Sequence, residues 1–469
     1  MTAGEVDRIG SGSPRLDLIL RGGLPKNAIN LIIGPPGAGK TILADQYVFH
    51  NATDDRPAIY YSTLSEPHEK LLRYGQSLSL FDTDAVGRRV FYEALGPGVR
   101  AAGLDTVIER VADDIKARRP GVIAIDSFRA LSAYADERQF RTFLADLADC
   151  LTAFPVSTFW VGEYTPDDIS DAPEFAVADS IVSLSREDFG VREFRYIQVL
   201  KLRGSDFMSG KHACRLTADG IDVFPRLADP GDTTAYPAEV ARTSSGIAAM
   251  DALVEEGFLA GSSTLVAGPP GVGKTLVGMH WVFAGARAGE PSLIASFQEN
   301  PSQLEHILGG FGWSLDEDDV HLFYQSAVDL YIDEWMGLLL EQIERLGVRR
   351  VLIDGISDLE VVAADQTRFR EFAYSFIQRC TRAGVSVMFT MELRELFFVR
   401  RLNADSLSHV ADNVVLMQYV LEGTTINRAL TVIKSRGTRH DPQVYKFDIT
   451  EEGVVLGDPV SISGDRSET

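Results

Sequence analysis

Gly34, Pro35, Pro36, Gly37, Ala38, Gly39, Lys40 and Thr41 obey the pattern G-x-x-x-x-G-K-[ST], and so do Gly268, Pro269, Pro270, Gly271, Val272, Gly273, Lys274 and Thr275. Each loop follows an apolar run that reads as a strand and precedes a run that reads as a helix, the setting a phosphate-binding loop requires. The glycines let the backbone curl so that several N–H groups aim at a β-phosphate, at the positive end of the following helix. Lys40 and Lys274 then reach the β- and γ-phosphates, and the hydroxyls of Thr41 and Thr275 are placed to hold Mg²⁺. A nucleoside triphosphate with Mg²⁺ is therefore expected, at two sites in one chain.

Such a loop needs an acidic partner for the metal at the end of a neighbouring strand. Asp126 in GVIAID and Asp354 in RVLID each close a short apolar run and fill that role. A group that orients or deprotonates the attacking oxygen is also required. Glu66 in TLSEP and Glu299 in FQENP stand where a carboxylate could reach water near a γ-phosphate, and are the catalytic candidates. Glu163 and Glu392, after the strand that follows the Asp strand, either sense the nucleotide or pair locally. Late in each copy come KLRG and KSRG, whose Lys201, Arg203, Lys434 and Arg436 could be delivered as cations to a neighbour's γ-phosphate.

These residues recur in order because the sequence is duplicated. AIYYSTLSEP parallels SLIASFQENP, GVIAIDSFRAL parallels RRVLIDGISDL, VADSIVSL parallels VADNVVLM, and YIQVLKLRGS parallels ALTVIKSRGT. The expected layout is a first domain over 1–228, a linker rich in Pro, Asp and Thr over 229–242, a second domain over 243–457, and a short tail over 458–469. Short β-branched runs alternate with longer amphipathic stretches, which means βαβ units and a mainly parallel sheet flanked by helices. The fold class is therefore α/β, twice.

Composition narrows the function. The formal charge of −22 over 469 residues disfavours a protein built to grip nucleic acid, since phosphate neutralisation needs clustered Lys and Arg. The basic clusters KARR (116–119) and VRR (348–350) are read as helix-end and loop charges facing solvent. No apolar window is long enough for a membrane span, and the acidic, polar start is unlike a signal peptide, so a cytoplasmic location is expected. Cys150, Cys214 and Cys380 lack metal-ligand spacing and read as reduced, buried thiols.

Taken together, the tandem phosphate loops, strand-end Asp, Glu after the second strand and K-x-R-G resemble the KaiC family of RecA-like ATPases over roughly residues 8–455. GGLPKN before the first loop, VADNVVLMQYV (410–420) and SRGTRHD (435–441) carry the same resemblance. It implies two RecA-like P-loop domains, a double-ring homohexamer with ATP between protomers, K-x-R-G reaching across, ATP hydrolysis, and in some members autophosphorylation in the second domain. Members with well-developed catalysis have two adjacent glutamates, whereas this chain has Ser65-Glu66 and Gln298-Glu299. Neighbours on a strand point to opposite faces, so turnover is expected to be slow, or lost at one ring. The segment that carries a Ser-Thr pair in the clock protein aligns with LSHVAD (407–412). Ser408 is thus the phosphorylation candidate, and His409 stands where a threonine would. The sequence ends soon after its last strand, so the long regulatory extension of the clock protein is not expected and the signalling partners should differ.

Two other functions fit the same fold. In one, ATP occupancy assembles a hexameric interaction scaffold with little turnover, which Ser65 and Gln298 favour. In the other, the domains drive a RecA-like DNA motor, against which the acidic composition speaks.

Overall fold

The apolar runs before the two phosphate loops become the central strands of two separate sheets. In the computed structural model, the residues described are 7–63, 73, 75–165, 168–189, 192–226, 241–297, 299–316, 318–326, 328, 330–363, 366–393, 409–422 and 424–460. The chain divides into two units, Met1–Arg226 and Leu227–Thr469.

The first unit runs β1 (Ile29–Ile33), α1 (Lys40–Asn51), β2 (Ala58–Ser62), β3 (Val90–Ala94), α2 (Asp105–Arg118), β4 (Val122–Asp126), α3 (Glu137–Thr152) and β5 (Ser157–Gly162), then β6 (Ser180–Phe189), β7 (Arg192–Leu202), β8 (His212–Thr217) and β9 (Gly220–Phe224). The second unit runs β10 (Ser263–Gly268), α4 (Lys274–Arg287), β11 (Ser292–Ser296), β12 (Val320–Tyr324), α5 (Ile332–Leu346), β13 (Arg350–Asp354), α6 (Gln366–Arg382) and β14 (Ser386–Glu392), then β15 (Asn413–Glu422), β16 (Thr425–Ser435), β17 (Tyr445–Thr450) and β18 (Gly453–Pro459). Strand order is β9-β8-β7-β6-β1-β5-β4-β2-β3 in the first sheet and, element for element, β18-β17-β16-β15-β10-β14-β13-β11-β12 in the second.

Each sheet is covered on both sides, which is why its central strands read as unbroken apolar runs. All of β1 is buried, with Leu31 and Ile33 in one core and Ile32 in the other. Helix α1 presses Leu43, Ala44, Tyr47 and Val48 into the core that holds Ile32. Helices α2 and α3 fill the opposite core. The sequence of α3 shows how: Asp136 and Gln139 form a reciprocal N-terminal cap, and Phe140, Phe143, Leu144, Leu147 and Leu151 repeat at helical spacing on the buried face. Burial stabilises each such side chain by about 1.5–3 kcal/mol relative to exposure.

The mainly parallel sheet expected from the alternation holds for β6-β1-β5-β4-β2-β3. Beyond it, β7, β8 and β9 add antiparallel. Tight turns such as the one between Thr217 and Gly220 cannot make the crossover that a parallel pair needs.

One expectation about the basic clusters fails. Arg350 of VRR does not face solvent: it is buried within β13 at 2% exposure, ion-paired with Glu290, and its Nη1 donates to the carbonyls of Ser244 and Trp281 at 2.7 and 2.8 Å. A buried guanidinium is tolerated because those acceptors take its protons. In KARR, Lys116 and Arg119 are exposed, while Arg118 pairs with Glu93 at 2.9 Å and lies over the Phe91 ring. The three cysteines are free thiols.

Candidate functional site

The phosphate loops sit where β1 and β10 end and α1 and α4 begin. Gly34 has φ 150° and a side chain there would meet the Leu184 carbonyl oxygen at 2.3 Å, so the neighbouring strand allows glycine alone. Gly39 and Gly273, at φ 102° and 115°, turn the chain into the helices in a left-handed conformation. Lys40 Nζ donates to the Pro35 carbonyl at 2.8 Å, and Lys274 Nζ to the Pro269 carbonyl at 2.9 Å. Burial holds both ammonium groups below the usual lysine range. Glu163 and Asp126 oppose that at Lys40, and Glu392 and Asp354 at Lys274.

Thr41 and Thr275, first residues inside the helices, meet the strand-end acids. Thr41 Oγ1 donates to Asp126 Oδ2 at 2.8 Å, and Thr275 Oγ1 lies 3.1 and 3.0 Å from the two carboxylate oxygens of Asp354. A hydroxyl and a carboxylate beside a loop that cradles phosphate make an all-oxygen donor set, which suits Mg²⁺. That ion takes few protein ligands and completes its shell with phosphate and water.

The two acids are braced differently, a feature with no signal in the motifs. In the first repeat Tyr60, buried on β2, donates to Asp126 Oδ2 at 2.7 Å. In the second, Thr390 on β14 donates to Asp354 Oδ1 at 2.5 Å and accepts from the Gly355 N–H at 2.8 Å. Burial pushes the Asp354 carboxyl up, against the hydrogen bonds from Thr390 and Thr275. Behind the first site Tyr92 donates to the buried Asp45 of α1 at 3.0 Å, and burial raises that carboxyl to about 7. An Asp on the same face as Thr41, one helical turn on among apolar residues, was the available clue.

A cleft of about 500 Å³ in the first repeat is bounded by the loop, Asp126, Ser127 and Glu163; one of about 790 Å³ in the second is bounded by the loop, Glu299, Asp354 and Glu392. Glu163 lies 3.9 Å from Lys40. Glu299 is half-buried and accepts from Ser296 Oγ at 3.2 Å. Glu66, with Ser65, lies outside the described residues, as do Gln298 and Ser408; His409 is described and exposed.

The K-x-R-G residues are not brought to their own loops. Lys201, near the end of β7, donates to the carbonyls of Phe175 and Ala176, and Lys434 to that of Ala411. Arg203 pairs with Asp179 at 3.1 Å and Arg436 with Asp412 at 3.4 Å, each arginine 58% exposed. Asp179 accepts from the N–H of Ile29, the first residue of β1. The phosphate loop leaves β1 at the other end, about 13 Å further along the strand at ~3.3 Å per residue. Each arginine therefore sits on the sheet edge away from its own loop.

Comparison with known proteins agrees with this geometry. The family described as "ATPase: KaiC" matches residues 9–228 and again 243–461. The chain is 27% identical to the circadian clock oscillator protein KaiC of Picosynechococcus sp., over 94% of this chain and 88% of that one. It is 27% identical to the KaiC of Thermostichus vulcanus, over 99% and 94% of the two chains, and 25% identical to that of Synechococcus elongatus, over 94% and 87%. Among the described residues no helix is long and apolar enough to cross a membrane. With two matched repeats, each carrying a phosphate loop joined to a strand-end aspartate, the chain belongs to the KaiC family and is a tandem P-loop ATPase.

Proposed function

We propose that the protein is a signalling ATPase that works as a homohexameric double ring, binding Mg²⁺·ATP between protomers and hydrolysing it there. The observation that carries this reading is the position of Arg203 and Arg436: exposed, and on the sheet edge away from their own loops, so that a phosphate they touch belongs to a neighbour.

In each ring the loop N–H groups and Lys40 or Lys274 hold the β- and γ-phosphates. Thr41 with Asp126, and Thr275 with Asp354, hold Mg²⁺, which when bound offsets charge on the phosphate oxygens. Glu66 and Glu299 orient the attacking oxygen. Lys201, Arg203, Lys434 and Arg436 complete the site from the next protomer. In the second ring Ser408 is the acceptor for autophosphorylation. A cytoplasmic location suits the reduced thiols.

Sedimentation with and without a non-hydrolysable ATP analogue tests the assembly. The analogue should convert smaller species to hexamer, and Arg203→Ala and Arg436→Ala should keep nucleotide bound to the loops while lowering turnover. A chain that stays monomeric with the analogue and hydrolyses ATP at the wild-type rate in both variants would contradict the reading.

A further inference from the structure

We propose that the first repeat carries a second ligand site, on the sheet edge away from its phosphate loop, that takes a small aromatic polyanion with the chemistry of a nucleoside monophosphate. A cleft of about 430 Å³ opens there between the ends of α2 and α3 and the starts of β2, β4 and β5. Ile115 and Val156 give it an apolar floor, the half-buried Phe154 ring stands at its side, and Arg56, Lys116 and Arg119 surround it.

None of these three cations has an ion-pair partner among the described residues, although the chain carries a net charge of −22. Arg56 is held in place from behind: its Nη2 donates to the carbonyls of Pro120 and Pro155, and its Nε is buried without a hydrogen-bond partner. The neighbouring Arg118, by contrast, already has Glu93.

Basic residues at the end of a helix have an ordinary explanation, since they complement the negative end of the helix dipole. The duplication shows that this explanation does not fix the cations at these particular positions, since the second repeat meets the same need with Arg345. Ala58, Val122 and Ser157 lie side by side in the first sheet, and Ser292, Arg350 and Ser386 lie side by side at the matching places in the second. Counting from those anchors, Arg56 corresponds to Glu290, Lys116 to Glu344, Arg119 to Gly347 and Phe154 to Ala383. The same fold is thus built with two acids, a glycine and an alanine at these four places, its own cations at this edge standing elsewhere, at Arg345 in the last turn of α5 and at Arg349, which donates to the Ala383 carbonyl. Arg119 also keeps φ 50° where the second repeat uses Gly347 at φ 62°, a left-handed position that disfavours any side chain. The fold does not require this lining, and an anionic ligand in the cleft would give it a use.

The cleft has the volume of a small-molecule site. Fixed guanidinium and ammonium groups select anionic oxygens, and an aromatic ring beside an apolar floor selects a flat body. A long polyanion such as RNA is disfavoured by the charge of the rest of the surface.

The test uses the full chain with both phosphate loops saturated by a non-hydrolysable ATP analogue and Mg²⁺, titrated calorimetrically with AMP, GMP, CMP and UMP. At least one should bind saturably, more weakly as salt rises. The single variant Lys116→Glu, at an exposed position, should weaken that binding by about tenfold or more with the melting temperature and ATP turnover unchanged. The double variant Lys116→Glu/Phe154→Ala, which installs the residue types of the second repeat, should weaken it further while lowering the melting temperature, because Phe154 packs on the core. No saturable binding to the wild type, or equal binding to the folded double variant, would overturn the proposal. So would capture of an acidic, tyrosine-containing peptide by this cleft with none of the nucleotides bound.

Discussion

Thr390 donates its hydroxyl hydrogen to Asp354 at 2.5 Å. In the first repeat the matching position is Val161, and the donor to Asp126 comes from the other neighbouring strand as Tyr60 at 2.7 Å. Thr390→Val and Tyr60→Phe each remove one donor to a carboxylate, a bond that contributes about 1.5–3 kcal/mol when one partner is charged. Each variant should weaken the Mg²⁺ dependence of nucleotide binding in its own repeat by about tenfold, leaving the other repeat unaltered. Mg²⁺ titration with a fluorescent ATP analogue, in backgrounds carrying Lys274→Ala or Lys40→Ala, reads the two sites separately.

Asp45 makes stability depend on pH in a direction opposite to that of most carboxylates. Burial raises it from 3.8 to about 7, so across that window the folded state holds a proton that the unfolded state has released. The contribution of this group is present below pH ~4 and is lost as pH rises towards 7. Asp45→Asn, which can still accept from Tyr92, should therefore stabilise the protein progressively over that range, by up to ~4 kcal/mol at neutral pH. Urea denaturation at a series of pH values checks this, and a difference that shrinks with rising pH would refute it.

Glu290→Ala should destabilise the second unit. It leaves the Arg350 guanidinium, 3% exposed, with carbonyl partners but no counter-charge. Removing one partner of a buried pair costs about 3–5 kcal/mol. Glu290 is itself 35% exposed, which puts the expected loss at the low end, about 3 kcal/mol. A lower melting temperature for the unit containing Trp281 and Trp335, followed by fluorescence, is the readout.

Incubation with Mg²⁺·ATP should place phosphate on Ser408, and Glu299→Gln should prevent it while ATP stays bound. Mass spectrometry of the 401–428 segment decides the matter; a wild-type segment free of phosphate would remove the autokinase reading and leave hydrolysis alone.

The placement of the glycine loops and their strand-end aspartates was legible in sequence because it rests on local rules. A glycine loop between strand and helix, and an Asp closing an apolar strand, have fixed spacing, and duplication printed each signal twice. The parallel core of the sheet followed from alternation for the same reason. What stayed hidden depends on contacts across the sheet: Tyr60 and Thr390 sit on different strands and carry no motif, and Asp45 shows only as a polar residue on a buried face. Arg350 was misread because a basic residue before an apolar run resembles a loop charge, and its acceptors, Ser244, Trp281 and Glu290, are distant in sequence.

If each active site is shared between protomers, inactive variants should complement one another when mixed. In a Glu299→Gln background, chosen because it should silence the second ring while keeping its ATP, one protein carries Lys40→Ala and the other Arg203→Ala. Each alone should be nearly inactive. Mixed in equal amounts they should recover about a quarter of the first-ring rate, the share of interfaces at which random assembly joins an intact loop to an intact arginine. A mixture no more active than its components, or an Arg203→Ala protein with full turnover alone, would contradict the account.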